Sequence, residues 1–166
     1  MARIWKIVGS HFEHLRTLDS WPYFWRVSLE GFIVCRLLLY AVELIVHFPP
    51  STSFIRYDIP KFLFVALIAG PVAELVLWQW LPVMIARRFG VRFWYQVLIS
   101  WIIFFVPHFG NGVRNAIGAG LFGGFYTTFT YVRWREKSLW TACYMTYAMH
   151  AFGNVIAIAI WWYNSK

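Results

Sequence analysis

Acidic residues are scarce in this chain: seven Asp and Glu stand among 166 residues, against fifteen Lys and Arg. Charged residues of both signs reach only 13 %, too few to cover a soluble domain of this length with solvated side chains. Cysteine is limited to Cys35 and Cys143. Both fall in apolar stretches and read as small buried side chains, not as a disulfide or a metal pair. No HExxH pair occurs, which excludes the commonest helical zinc-hydrolase pattern. The N-terminus has no short apolar core ending in small residues, so a cleaved signal peptide is not expected.

What is present is hydrocarbon. Hydrophobic residues make up 60 % of the chain and aromatics 22 %, with a mean hydropathy of +0.56, against a usual apolar share of roughly 45–50 %. The length suits a single domain. The net charge of +8 is divided among short separate segments, whereas a nucleic-acid site would gather it on one face. No nucleic-acid partner is expected, and membrane topology explains the cations better.

Residues 1–26 mix Ile4, Trp5, Ile7, Val8, Phe12, Leu15 and Leu18 with Arg3, Lys6, Glu13 and Arg16. That spacing predicts an amphipathic helix in the membrane interface, ended by Trp21-Pro22. Five apolar spans follow within 27–166, each near the roughly 20 residues that cross a bilayer core. They run about 27–48, 60–85, 93–108, 113–132 and 139–163, and Pro49-Pro50 closes the first. The fold class is therefore all-α: a polytopic membrane helix bundle with an N-terminal interfacial helix.

With the N-terminus inside, Arg3, Lys6, Arg16, Arg26, Arg87, Arg88, Arg92, Arg133, Arg135 and Lys137 lie inside, and Arg56, Lys61, Arg114 and Lys166 outside. Ten against four fits the positive-inside rule, so the N-terminus is expected in the cytoplasm, with a bacterial inner membrane as the setting. Gly112, Ala116, Gly120 and Gly124 recur every four residues, a small-residue face that lets helices approach closely and puts the fourth span at the bundle centre. Residues 118–123 also match a dinucleotide-binding glycine pattern. That pattern needs a preceding strand, which an apolar span does not offer.

Glu74, His108, His150 and Asn154 each lie in or at the edge of an apolar stretch, where polar side chains are costly and by default functional. His150 and Asn154 are four apart, so they share a helix face, and Phe104 likewise flanks His108. Pro71, three residues before Glu74, loosens the second span. A carboxylate, two imidazoles and an amide from three spans can supply a base, a proton relay and oxyanion donors, the needs of peptide hydrolysis. Two histidines and a carboxylate can also ligate zinc, so Glu74, His108 and His150 are the metal candidates, although no cofactor is required. Arg36 and Glu43, seven apart on the first span, are expected to face the bundle and pair there; Glu74 could also pair with Arg36.

The settings PVAELVLWQ, FFVPH and HAFGN resemble the three motifs of the CPBP family, the CAAX-protease and bacteriocin-processing (Abi) intramembrane proteases. Glu74 aligns with the first glutamate of a Glu-Glu-x-x-x-Arg motif, Leu75 replaces the second, Trp78 the usual aromatic, and Gln79 the arginine. Phe104 and His108 match the second motif, His150 and Asn154 the third. The resemblance covers about residues 60–160. It implies a glutamate-type intramembrane endopeptidase in which Glu74 and His108 activate water and His150 and Asn154 form the oxyanion hole, with Phe104, Gln79 and Trp78 supporting. The implied partners are the lipid bilayer and a hydrophobic or membrane-anchored peptide substrate, with a membrane protein partner as a further possibility. The alternative is a non-catalytic binding or immunity subunit that keeps the protease scaffold. A small transporter component is the weaker third reading, because no internal repeat is visible.

Overall fold

The computed structural model describes residues 2–48 and 58–164. Among these residues there is no strand, and six helices follow one another. They are α1 (Ala2–Thr17), α2 (Ser20–Glu43), α3 (Ile59–Arg88), α4 (Phe93–Asn111), α5 (113–135) and α6 (Leu139–Asn164). Helices close their backbone hydrogen bonds internally, as a chain in hydrocarbon must. The chain is an all-α membrane protein. The expected end of the first span at Pro49-Pro50 lies outside the described residues, as does Arg56.

Among the described residues three helices are long and apolar enough to cross a membrane: Ile59–Arg88, Phe93–Asn111 and Leu139–Tyr163. The other two expected spans, α2 and α5, differ in composition and not in length; α2 has 24 residues, about 36 Å at 1.5 Å per residue. α2 carries Arg26, Glu30, Arg36 and Glu43, and α5 carries Arg114, Arg133 and Arg135. These two helices pack on each other and on α6. Most of α5 beyond Gly123 is buried, Thr128, Thr130 and Arg133 included, whereas α2 buries Ser28 and keeps Arg26 and Arg36 exposed. A helix inside a bundle need not be apolar all round.

Pro22 does not end the first helix. α1 stops at Thr17, and Pro22 lies in the first turn of α2 behind the N-cap Asp19. The N–H that proline lacks has no intrahelical partner there anyway. α1 docks on the bundle end formed by the α3–α4 and α5–α6 turns. Leu15 is buried, and the Phe12 ring meets Trp94, Phe125 and Phe129 edge-on at 5.1–6.1 Å. Arg16 bridges Glu13 at 3.0 Å and Glu136 at 3.1 Å and lies 4.0 Å over the Phe93 ring.

Of the expected small-residue face, Gly112 is not helical. At φ 93° it forms the break between α4 and α5, a conformation that glycine adopts without a Cβ penalty. Gly120 and Gly124 face α4, where a Cβ on either would run into His108 or Phe104. Gly118 faces Leu39 of α2. The glycine pattern at 118–123 lies within α5, in a segment of wide π-type turns with no preceding strand.

α3 explains how the site is held. It is interrupted by wide π-type turns at Val65–Ala69 and Leu75–Trp80, a feature common at functional sites. Each precedes a proline, which removes one N–H from the ladder. The carbonyls this frees are met by other helices. Pro71 cannot serve Leu67 O, and the Tyr147 hydroxyl donates to it at 3.0 Å. Pro82 cannot serve Trp78 O, and the Ser100 hydroxyl donates to it at 2.7 Å. Gly70 N–H bonds back to Val65 O, so Ala66 O is left over and receives Asn154 Nδ2–H at 2.7 Å. We predict that Tyr147→Phe and Ser100→Ala each destabilise the protein by about 1 kcal/mol, since a buried acceptor loses its donor. Unfolding in detergent would measure this, and unchanged stability in both would show that these carbonyls need no donor.

Candidate active site

Glu74 ends the short α-helical stretch between the two wide-turn segments of α3. Its Oε2 lies 3.5 Å from His150 Nε2 and 4.0 Å from His108 Nε2. Both separations exceed a good N–H···O bond, and Oε2 is buried without a hydrogen-bond partner. The side chain as a whole keeps 27 % exposure. The carboxylate thus faces two imidazoles with a lone pair unclaimed.

His108 is positioned by its own helix. α4 tightens to a 3-10 turn at Val106–Asn111, and His108 Nδ1 contacts Phe104 O at 2.8 Å. A carbonyl only accepts, so Nδ1 carries the hydrogen and, in the neutral ring, Nε2 presents its lone pair toward Glu74. The ring stacks on Phe104 at 4.6 Å and 26°. Phe104 is buried, and its ring centroid is 6.3 Å from that of His150. The depth of His108 is settled by the shared α3–α4 turn: Glu74 and His108 lie at similar distances along the two arms of one hairpin, and Gly120 lets α5 back onto His108.

His150 and Asn154 face α3 together, as their spacing on one helix face requires. One amide hydrogen of Asn154 is held by Ala66 O, a structural bond that sequence reasoning missed. Pro71 was its signal, because in the wide turn the N–H that proline lacks would have reached five residues back, to Ala66 O. The supporting residues divide. Phe104 belongs to the site. Trp78 enters only through its carbonyl, and Gln79 is fully buried with neither amide atom hydrogen-bonded. Leu75, where the motif has its second glutamate, packs in the apolar core.

Neither expected pairing of Arg36 forms. Glu43 instead meets Arg114, with Oε1 2.5 Å from Nε, because α2 and α5 run antiparallel and bring those positions level. A cavity of about 280 Å³ opens between α2, α4, α5 and α6. Phe104, His108, His150 and Asn154 line it, while Glu74 reaches the imidazoles from the α3 side. Among the described residues no group of three His, Cys, Asp or Glu is arranged to hold a metal ion.

These features define a class: a polytopic helical membrane protein with a carboxylate, two imidazoles and a carboxamide converging at mid-bundle. The family model for type II CAAX prenyl endopeptidase Rce1-like proteins matches residues 56–156, which contain all four. The chain belongs to that family, a family of membrane proteases. No curated protein and no solved structure matches the chain.

Proposed function

We propose that this chain is an active intramembrane endopeptidase that hydrolyses a hydrophobic or membrane-anchored peptide. The observation that carries the proposal is Glu74 Oε2, unpartnered between two imidazole Nε2 atoms at 3.5 and 4.0 Å. The 4.0 Å gap to His108 suits one water hydrogen-bonded to both groups, since two such bonds of ~2.8 Å set at an angle span about 4–5 Å. Glu74 takes the water proton as general base, and the His108 Nε2 lone pair orients the water and relays the proton. The oxyanion meets His150 and the amide hydrogen of Asn154 not held by Ala66 O, fixed donors in a dry site. The proton then passes to the leaving amine.

The test is cleavage of a fluorogenic hydrophobic peptide by the purified chain in detergent. Turnover that survives a chelator is expected, because the proposed route needs no metal. Inactivation by chelator with recovery on zinc would replace this route with a metal-dependent one. The alternative, a non-catalytic membrane binding or immunity subunit, has one observation behind it. Leu75 and Gln79 leave the first motif without its charged pair, and Gln79 finds no hydrogen bond. Absence of cleavage with every hydrophobic peptide tried would favour that reading.

We further propose that the N-terminus is cytoplasmic in a bacterial inner membrane, supported by the cation bias. Single cysteines introduced at Ser53 and Ser138, in a background lacking Cys35 and Cys143, test it. Ser53 lies outside the described residues, and Ser138 caps α6, its Oγ accepting Thr141 N–H at 2.9 Å. An impermeant thiol reagent on intact cells should label position 53 and spare 138. Labelling of 138 would reverse the topology.

A further inference from the structure

We propose that Arg36 is the anion-recognition residue of the cavity and binds a carboxylate of the peptide substrate. This rests on the endopeptidase reading and adds to it what the substrate must carry. Arg36 lines the same cavity as His108, His150 and Asn154. It also lies at their depth. The neighbouring Cys35 Sγ contacts Gly118 O at 3.0 Å, and a Cβ on Gly120, two residues further along α5, would lie 2.9 Å from His108 Cβ. Two residues of helix rise about 3 Å. Arg36 and His108 are therefore within about one helical turn of each other in depth.

A cation in a membrane span usually faces a partner, and among the described residues no acidic side chain meets Arg36. None of the seven acidic residues pairs with Arg36. Glu13 and Glu136 hold Arg16. Glu30 Oε1 meets His11 at 2.7 Å and the Tyr126 hydroxyl at 3.1 Å. Glu43 holds Arg114, and Glu74 faces the two imidazoles. Asp19 and Asp58 stand at the N-cap positions of α2 and α3, without a side-chain capping bond, and neither pairs with Arg36. Among the described residues Arg36 has no ion pair and no hydrogen bond. Arg114, the other cation of the cavity wall, is already neutralised, so Arg36 is the unmet charge. Its planar fork suits a carboxylate, taken in two parallel hydrogen bonds. A peptide brings one at its C-terminus or on an Asp or Glu side chain, and held at this depth it would set where the chain is cut.

The experiment measures binding, not turnover. The Glu74→Gln protein in zwitterionic detergent is titrated with three fluorescent hydrophobic peptides of one sequence: a terminal acid, a terminal amide, and an amide with one internal Asp. If Glu74→Gln fails to fold, the wild-type chain with backbone N-methylated, uncleavable peptides serves instead. The acid is expected to bind at least tenfold tighter than the amide. Arg36→Gln should reduce the acid to the amide's affinity and leave the amide unchanged, and Arg36→Lys should restore most of the difference. Rescue of the amide by internal Asp would assign the carboxylate to a side chain, and no rescue would assign it to the terminus. Equal binding of all three peptides, or an Arg36→Gln defect that falls equally on all, would overturn the proposal. So would loss of co-purifying anionic phospholipid from Arg36→Gln with peptide binding intact, which would give Arg36 to a lipid phosphate. A carboxylate preference without any cleavage would sink the protease reading and leave this site standing.

Discussion

Glu74→Gln is expected to abolish peptide hydrolysis, by at least the roughly 10²–10⁴-fold typical of losing a general base, and to leave the protein folded. Glutamine keeps the shape of the side chain but cannot accept the water proton. Folding should survive because the surroundings of Glu74 do not depend on its charge. Oε2 accepts no hydrogen bond, and Arg36, the cation it could have neutralised, does not contact it. A neutral amide also costs less than a carboxylate in a dry site. Initial rates on a hydrophobic peptide, with helical content and unfolding followed in parallel, would check both halves. A fully active Glu74→Gln protein would remove Glu74 as the base. An unfolded one would make its role structural.

Gly120→Ala should be almost as damaging, although Gly120 touches no reacting atom. The added Cβ would lie 2.9 Å from His108 Cβ, 3.1 Å from His108 Cγ and 3.2 Å from Phe105 Cδ2. The closest atom is rooted to the backbone, so no rotamer change relieves the contact, and α4 must move away from α5. Overpacking of this kind costs about 1–3 kcal/mol. The 4.0 Å gap between His108 and Glu74 changes with it, and a misplacement of about 1 Å can cost about 10²-fold in rate. The expected result is a folded, moderately destabilised protein with kcat reduced about 10–100-fold. Gly9, with nothing within 4 Å of its added Cβ, is the control, and Gly9→Ala should retain activity. Full activity in Gly120→Ala would show that His108 can shift without consequence.

The sequence alone determined the class of fold and the identity of the polar residues. Both follow from local chemistry: apolar runs of membrane length must be helical in hydrocarbon, and a polar group there is too costly to be idle. The order Glu74, His108, His150, Asn154 and the one-face spacing of the last pair were legible for the same reason. Those residues and their spacing carried the resemblance to the family, and the match of the family model over residues 56–156 shows it.

Only the tertiary structure decided who meets whom. The apolar pattern marked α2 and α5 as spans like the rest, yet α5 is mostly enclosed by its neighbours, with Thr128, Thr130 and Arg133 buried, while α2 keeps an exposed apolar face. Arg36 and Glu43 share a helix face, which permits a pairing but does not choose it; antiparallel packing gave Glu43 to Arg114 and left Arg36 to the cavity. Pro22 looked like a helix end and is a helix start, because proline is tolerated wherever the N–H has no partner. Asn154 was expected to serve an oxyanion, and part of its donor capacity goes to a carbonyl freed by the wide turn and Pro71 of α3. Composition and spacing are properties of one segment at a time. Pairings between helices depend on relative depth and rotation, and here those are set by glycine contacts and proline-freed carbonyls that act only once the helices have packed.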